Sequence, residues 1–191
     1  MKRFLSFSFL ITILLISLSG CVITDNNSEY VRKEFKSEQD ITEIVIIDES
    51  TNITFQTSDS NEISIEYSDS ETEPRYNISI KNGVLEMEKT DSTVGVDDNS
   101  LIISLPQKEY DEISVNTTNG NITFEHIKSS VYHCSTENGN IDGTILGEAT
   151  DYLCVITVEN GDSSLENNLI ESSKIIEFNV KNGDVKVNFA Q

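Results

Sequence analysis

The chain has 191 residues and carries 13 Lys+Arg against 33 Asp+Glu, a formal net charge of −20. So acidic a surface repels nucleic acid and anionic lipid headgroups and suits a soluble body held off a membrane, or one that attracts cations. The length suits one domain with a real core.

Residues 1–20 read as a signal. Lys2 and Arg3 are followed by an apolar run from Phe4 to Leu18, broken only by Ser and Thr, and then by small residues. The run is short for a membrane span and has the layout of a secretory signal peptide. Its end, Leu18-Ser19-Gly20-Cys21, resembles the lipobox of bacterial lipoproteins. That resemblance implies cleavage before Cys21 and lipidation of Cys21. It also implies a lipid anchor in the cell membrane, with the body on the extracytoplasmic face. Removing Lys2 and Arg3 leaves 11 basic against 33 acidic residues, formally −22. Residues 21–40 are polar and mixed in charge and read as a flexible tether, with weak helical patterning from Tyr30 to Ser37.

From Ile41 the period changes. "ITEIVIIDESTNITFQTSDSNEISIEY" alternates apolar and polar residues between Ser, Asp, Asn and Glu clusters, which predicts strands and turns. "YNISIKNGVLEMEKT" predicts a hairpin turning at Asn82-Gly83. "DSTVGVDDNS" reads as a polar loop, and "LIISLP" as a strand closed by Pro106. No segment after Ile41 holds a helical period.

Four further Asn-Gly pairs follow: Asn119-Gly120, Asn138-Gly139, Asn160-Gly161 and Asn182-Gly183, spaced 19, 22 and 22 residues apart. Aligned on the Asn, the position six before holds Ile113, Tyr132, Cys154 and Ile176, and four before holds Val115, Cys134, Ile156 and Phe178. Two before stand Thr117, Thr136, Val158 and Val180. Three after stand Ile122, Ile141, Ser163 and Val185; five after stand Phe124, Gly143, Leu165 and Val187. Ile127, Leu146 and Leu169 supply a further apolar position in the first three copies. A fixed period of this kind predicts an all-β parallel β-helix or β-solenoid over residues 41–191, built from Asn-Gly repeats of about 20–22 residues and preceded by strands and a hairpin. Asn-Gly is then a corner, because Asn tolerates and Gly accepts the left-handed region, and stacked Asn side chains bond along the column. A meander with hairpin tips at each Asn-Gly fits each pair locally but not the recurrence of side-chain classes. Gly143 and Ser163 break the inward apolar pattern and predict looser packing.

"SLPQKEYDEISVNTTNGNI" resembles the bacterial candidate-adhesin β-strand-repeat family, whose pattern falls here on Leu105, Pro106, Tyr110, Ile113, Val115, Thr117, Asn119, Gly120 and Ile122. The resemblance spans roughly residues 41–189 and implies a parallel β-helix-like body at the cell surface. It hands over no catalytic residues.

Motifs that carry chemistry are few. His126 and His133 lack the spacing of a structural zinc site, with or without Cys134. No nucleophile elbow and no phosphate-binding loop is present, and no carboxylate pair stands out for glycoside cleavage. Calcium is the cofactor the composition permits, on Asp97, Asp98, Asp162, Asp184 and the Asn/Asp corners. Cys134 and Cys154 are two thiols in alternating strands, compatible with a disulfide or with burial. The expectation is a non-catalytic surface protein that binds an envelope, cell-wall or host ligand. Envelope-stress regulation in cis and a carbohydrate-active enzyme are the alternatives.

Overall fold

The computed structural model describes residues 30–71, 74–90 and 100–191. The signal peptide, Cys21, Asp97 and Asp98 lie outside them. Thirteen strands follow in order: β1 Tyr30–Ser37, β2 Glu43–Ile47, β3 Asn52–Ser58, β4 Ile63–Ser70, β5 Tyr76–Lys81, β6 Val84–Lys89, β7 Ser100–Pro106, β8 Glu109–Asn119, β9 Ile122–Asn138, β10 Ile141–Leu146, β11 Tyr152–Asn160, β12 Lys174–Asn182 and β13 Val185–Ala190. The chain is all-β, and no described helix is long and apolar enough to cross a membrane.

The strands form one curled sheet with two facing walls, joined by β9. The first half of β9 pairs with β3 and β10, and its second half with β8 and β12. The turn between walls is a β-bulge: the register with β10 slips at Thr144/Ile145, and His126 sits there at φ 59°. One wall runs β1-β4-β7-β3-β9-β10-β13 and the other β5-β6-β2-β8-β9-β12-β11. Pairing is parallel except at β1–β4, β4–β7 and β5–β6.

The alternation read from the sequence lines the interior. Leu85, Ile44, Ile113, Tyr132, Ile176 and Cys154 form one buried row across the second wall. Met87, Ile46, Val115, Cys134, Phe178 and Ile156 form the next. The first wall answers with Leu101, Ile53, Ile122, Ile141 and Val185. Phe124 stacks on Phe55 at 5.4 Å and on Phe178 at 6.3 Å, tying the walls together. The hairpin at Asn82-Gly83 is present, with φ of 53° and 82° at its two turn residues, as a two-residue primed turn requires.

Three expectations change. Residues 30–37, read as tether or weak helix, form β1, in antiparallel register with β4 from Tyr30↔Ser70 to Ser37↔Ile63. Phe35 packs on the core and Lys33 Nζ donates to the buried Asp69 at 3.1 Å, so partners distant in sequence hold a charged segment extended. Second, the repeats do not stack in sequence order. β12 pairs with β9 on one side and β11 on the other, so the fourth repeat lies between the second and third. The third repeat has lost its second strand: Ser163 keeps one isolated bridge to Val185, and Leu169 is fully exposed. An incomplete repeat can serve only as an end, whereas the complete fourth repeat tolerates neighbours on both sides of β12. Third, Gly143 marks closeness rather than looseness. β10 keeps its register there, and a Cβ would lie 2.0 Å from the Phe124 carbonyl oxygen. Of the two states left open for Cys134 and Cys154, the structure has buried free thiols. β12 separates their strands, which puts the two about 10 Å apart across the sheet, beyond disulfide reach.

Candidate binding surface

The Asn-Gly corners converge on one edge of the body. Asn138 Nδ2 donates to Asn119 Oδ1 at 2.8 Å, Asn182 Nδ2 to Asn138 Oδ1 at 2.9 Å, and Asn160 Nδ2 to Asn182 Oδ1 at 3.0 Å. A second ladder runs beside it. The backbone N–H of Asn121 donates to Asn52 Oδ1, that of Asn140 to Asn121 Oδ1, that of Asp184 to Asn140 Oδ1 and that of Asp162 to Asp184 Oδ1, all at 2.8–3.0 Å. Between the ladders lies a column of glycines. A Cβ would come within 2.1 Å of the Thr51 oxygen at Gly120, and within 2.1 Å of the Gly120 oxygen at Gly139. Gly183 and Gly161 continue the pattern at 2.0 and 1.9 Å. Gly120 and Gly139 do not occupy the left-handed region, and neither do their asparagines. Glycine is required at those two corners by close approach of successive turns of chain, not by backbone handedness. Thr136 Oγ1 adds a bond to the Gly120 carbonyl at 3.0 Å.

Of the candidate calcium ligands at this edge, Asp184 is otherwise engaged. Asp184 Oδ1 accepts the Asp162 amide and Oδ2 accepts Lys186 Nζ at 2.6 Å. The bond from Lys186 is the chief reason the Asp184 carboxyl lies below its usual range. Among the described residues no three His, Cys, Asp or Glu side chains converge as metal ligands do. His126 is exposed at the bulge of β9. His133 points outward and its Nδ1 lies 3.2 Å from Glu177 Oε2, whereas Cys134 points inward. The two neighbours in sequence therefore cannot share an ion. Burial pushes both thiols up, so neither is a ready thiolate.

The outward face of the second wall is a regular surface of paired strands. Short polar side chains cover its middle, with Ser114, His133 and Glu177 in one row and Asn116, Ser135 and Asn179 in the next. They line a shallow depression of about 180 Å³. Ser114, His133 and Glu177 stand side by side, but on a flat ladder where backbone N–H groups are consumed by strand pairing. What such a face offers is a flat grid of donors and acceptors. The grid was not legible in the sequence, because its rows join residues 19 to 63 positions apart; only the outward half of each alternation signalled it.

The sequence profile of the Toastrack DUF4097 family matches residues 41–191. The chain belongs to the Toastrack family. Its fold is shared with the crystal structure of a candidate cell-adhesion protein from Clostridium sporogenes, with TM-score 0.55 and 14% identity, over 83% of this chain and 100% of that one. A candidate adhesin from Bacteroides fragilis matches with TM-score 0.39 and 12% identity, over 85% and 98% of the two chains. At such identities the first likeness speaks for the Toastrack fold alone. No curated protein matches the chain.

Proposed function

We infer that this Toastrack protein is a non-catalytic binding module of the bacterial surface. In this reading the chain is cleaved before Cys21, lipid-anchored through that cysteine, and held on the extracytoplasmic face by the residues between Cys21 and β1. The body is a β-helix-like rod with one permuted repeat, and the ligand is an envelope polymer, a surface protein or a host component. The observation that carries the reading is the flat polar face of the second wall. It presents hydroxyls, amides, an imidazole and a carboxylate at strand spacing, about 4.8 Å apart, a repeat that suits an extended polymer. The adhesion labels of the structural neighbours agree with it but belong to those proteins. The strong negative charge keeps such a body off anionic surfaces, so recognition falls to short-range hydrogen bonds.

The test uses a soluble form beginning at Val22, which keeps β1, bound to washed cells and isolated cell wall with and without a calcium chelator. Saturable binding that Asn116→Ala and Asn179→Ala together weaken supports the reading. Binding that ignores both substitutions moves the site elsewhere, and no binding to any fraction removes the proposal. Loss on chelation alone makes the acidic corners a metal site.

A further inference from the structure

The four Asn-Gly corners are chemically alike and structurally unequal. Asn-Gly is the sequence most prone to deamidation, because the glycine amide can reach the neighbouring side-chain carbonyl without hindrance from a Cβ. In this body that amide is engaged at three of the four corners. Gly120 N donates to the Asn138 carbonyl, Gly139 N to the Asn182 carbonyl and Gly183 N to the Asn160 carbonyl, at 3.0–3.1 Å. The side chains of the same three corners are also held on Oδ1: Asn119 accepts from Asn138, Asn138 from Asn182 and Asn182 from Asn160. Asn160-Gly161 ends the column. Its Nδ2 is held by Asn182 Oδ1 and the Lys181 carbonyl, while among the described residues nothing donates to its Oδ1 and the Gly161 amide has no acceptor. Exposure does not separate the four, since Asn119, Asn138, Asn160 and Asn182 are all exposed.

We propose that Asn160 is a site of spontaneous modification, converting to aspartate and isoaspartate in the folded protein, while Asn119, Asn138 and Asn182 are protected by their position inside the ladder. The Gly161 amide nitrogen loses its proton to base and bonds to Asn160 Cγ. The Cγ–Nδ2 bond breaks and the side-chain nitrogen leaves as ammonia. Water then opens the five-membered imide at either carbonyl. The product no longer donates to Asn182 Oδ1 or the Lys181 carbonyl, and it sets a new carboxylate beside Glu159 and Asp162. The outermost turn of chain thereby loosens with age, and the three inner corners do not.

The side-chain amide donates two bonds at Asn160 and one at each inner asparagine, so an inner pair must break three hydrogen bonds against two at the outer one, which at ordinary net strength slows it by about fivefold. The experiment incubates the soluble protein from Val22 at mildly alkaline pH and follows the four corner Asn-Gly peptides by mass spectrometry. A parallel sample is unfolded in urea. Expected is conversion at Asn160 in the folded protein about fivefold ahead of the three inner sites, and similar rates at all four in urea. Inner sites converting as fast as Asn160 in the folded protein overturn the proposal. So does an Asn160 that stays intact folded while it converts in urea. Asn160→Gln, which must close a slower six-membered ring, should suppress the signal at that peptide.

Discussion

Gly139→Ala separates two explanations of the same residue. If backbone handedness were the only concern, the substitution would be mild, because Gly139 does not lie in the left-handed region. If the corner needs glycine for space, the substitution is severe. The added Cβ falls 2.1 Å from the Gly120 oxygen, 2.6 Å from its carbonyl carbon and 3.1 Å from Thr136 Oγ1. The first two are backbone atoms in a paired column and cannot swing aside as a side-chain tip would. Relief requires β9 and its neighbours to separate at the corner, which strains the Gly139 amide bond to Asn182 and both ladder bonds of Asn138. Overpacking of this kind costs about 3 kcal/mol, which for a body of this size lowers Tm by about 6–12 °C. Thermal unfolding followed by circular dichroism measures it. A fall of less than about 2 °C refutes the close-approach argument.

Asn138→Asp keeps shape but replaces a donor with a second acceptor opposite Asn119 Oδ1, at a cost of about 1–2 kcal/mol read as a lower urea midpoint. The same change at Asn119, which donates only a long 3.5 Å bond to the Glu49 carbonyl, should cost clearly less. Glu109 gives a pH test. Hydrogen bonds, chiefly from Lys174, with Lys128 and Ser130, hold its carboxyl near a pKa of about 2. A depressed carboxyl stabilises above its unfolded value, 4.5, and loses that contribution as pH falls towards 2. Glu109→Gln should therefore destabilise at neutral pH and make no difference near pH 2. The group is partly solvated, so the neutral-pH loss is within about 1 kcal/mol; an equal loss at both pH values contradicts the assignment. Finally, Cys134 and Cys154 should react with a thiol reagent only in denaturant, and reduction should leave Tm unchanged. A redox-dependent Tm would mean a disulfide after all.

The period of alternation in the sequence settled a good deal by itself. It placed inward Ile113, Tyr132, Phe178 and their companions, because a strand of period two has one way to bury its apolar half. It also located the hairpin at Asn82-Gly83 and the four corners, since only a recurring tight turn explains the same residues at the same offset. The stacking order was a different matter. All repeats carry nearly the same inward pattern, so β8, β9, β11 and β12 are locally interchangeable as neighbours. The missing second strand after Asn160 then sends that repeat to the end and lets β12 in beside β9. β1 shows the same limit. Arg32, Lys33, Glu34 and Lys36 read as a solvated tether, and it is β4, with Asp69 lying 36 residues beyond Lys33, that makes the segment a strand. Why the corners hold glycine was also a tertiary question. The distance to the turn of chain stacked above is set by residues nearly 20 positions away, and no local pattern encodes it.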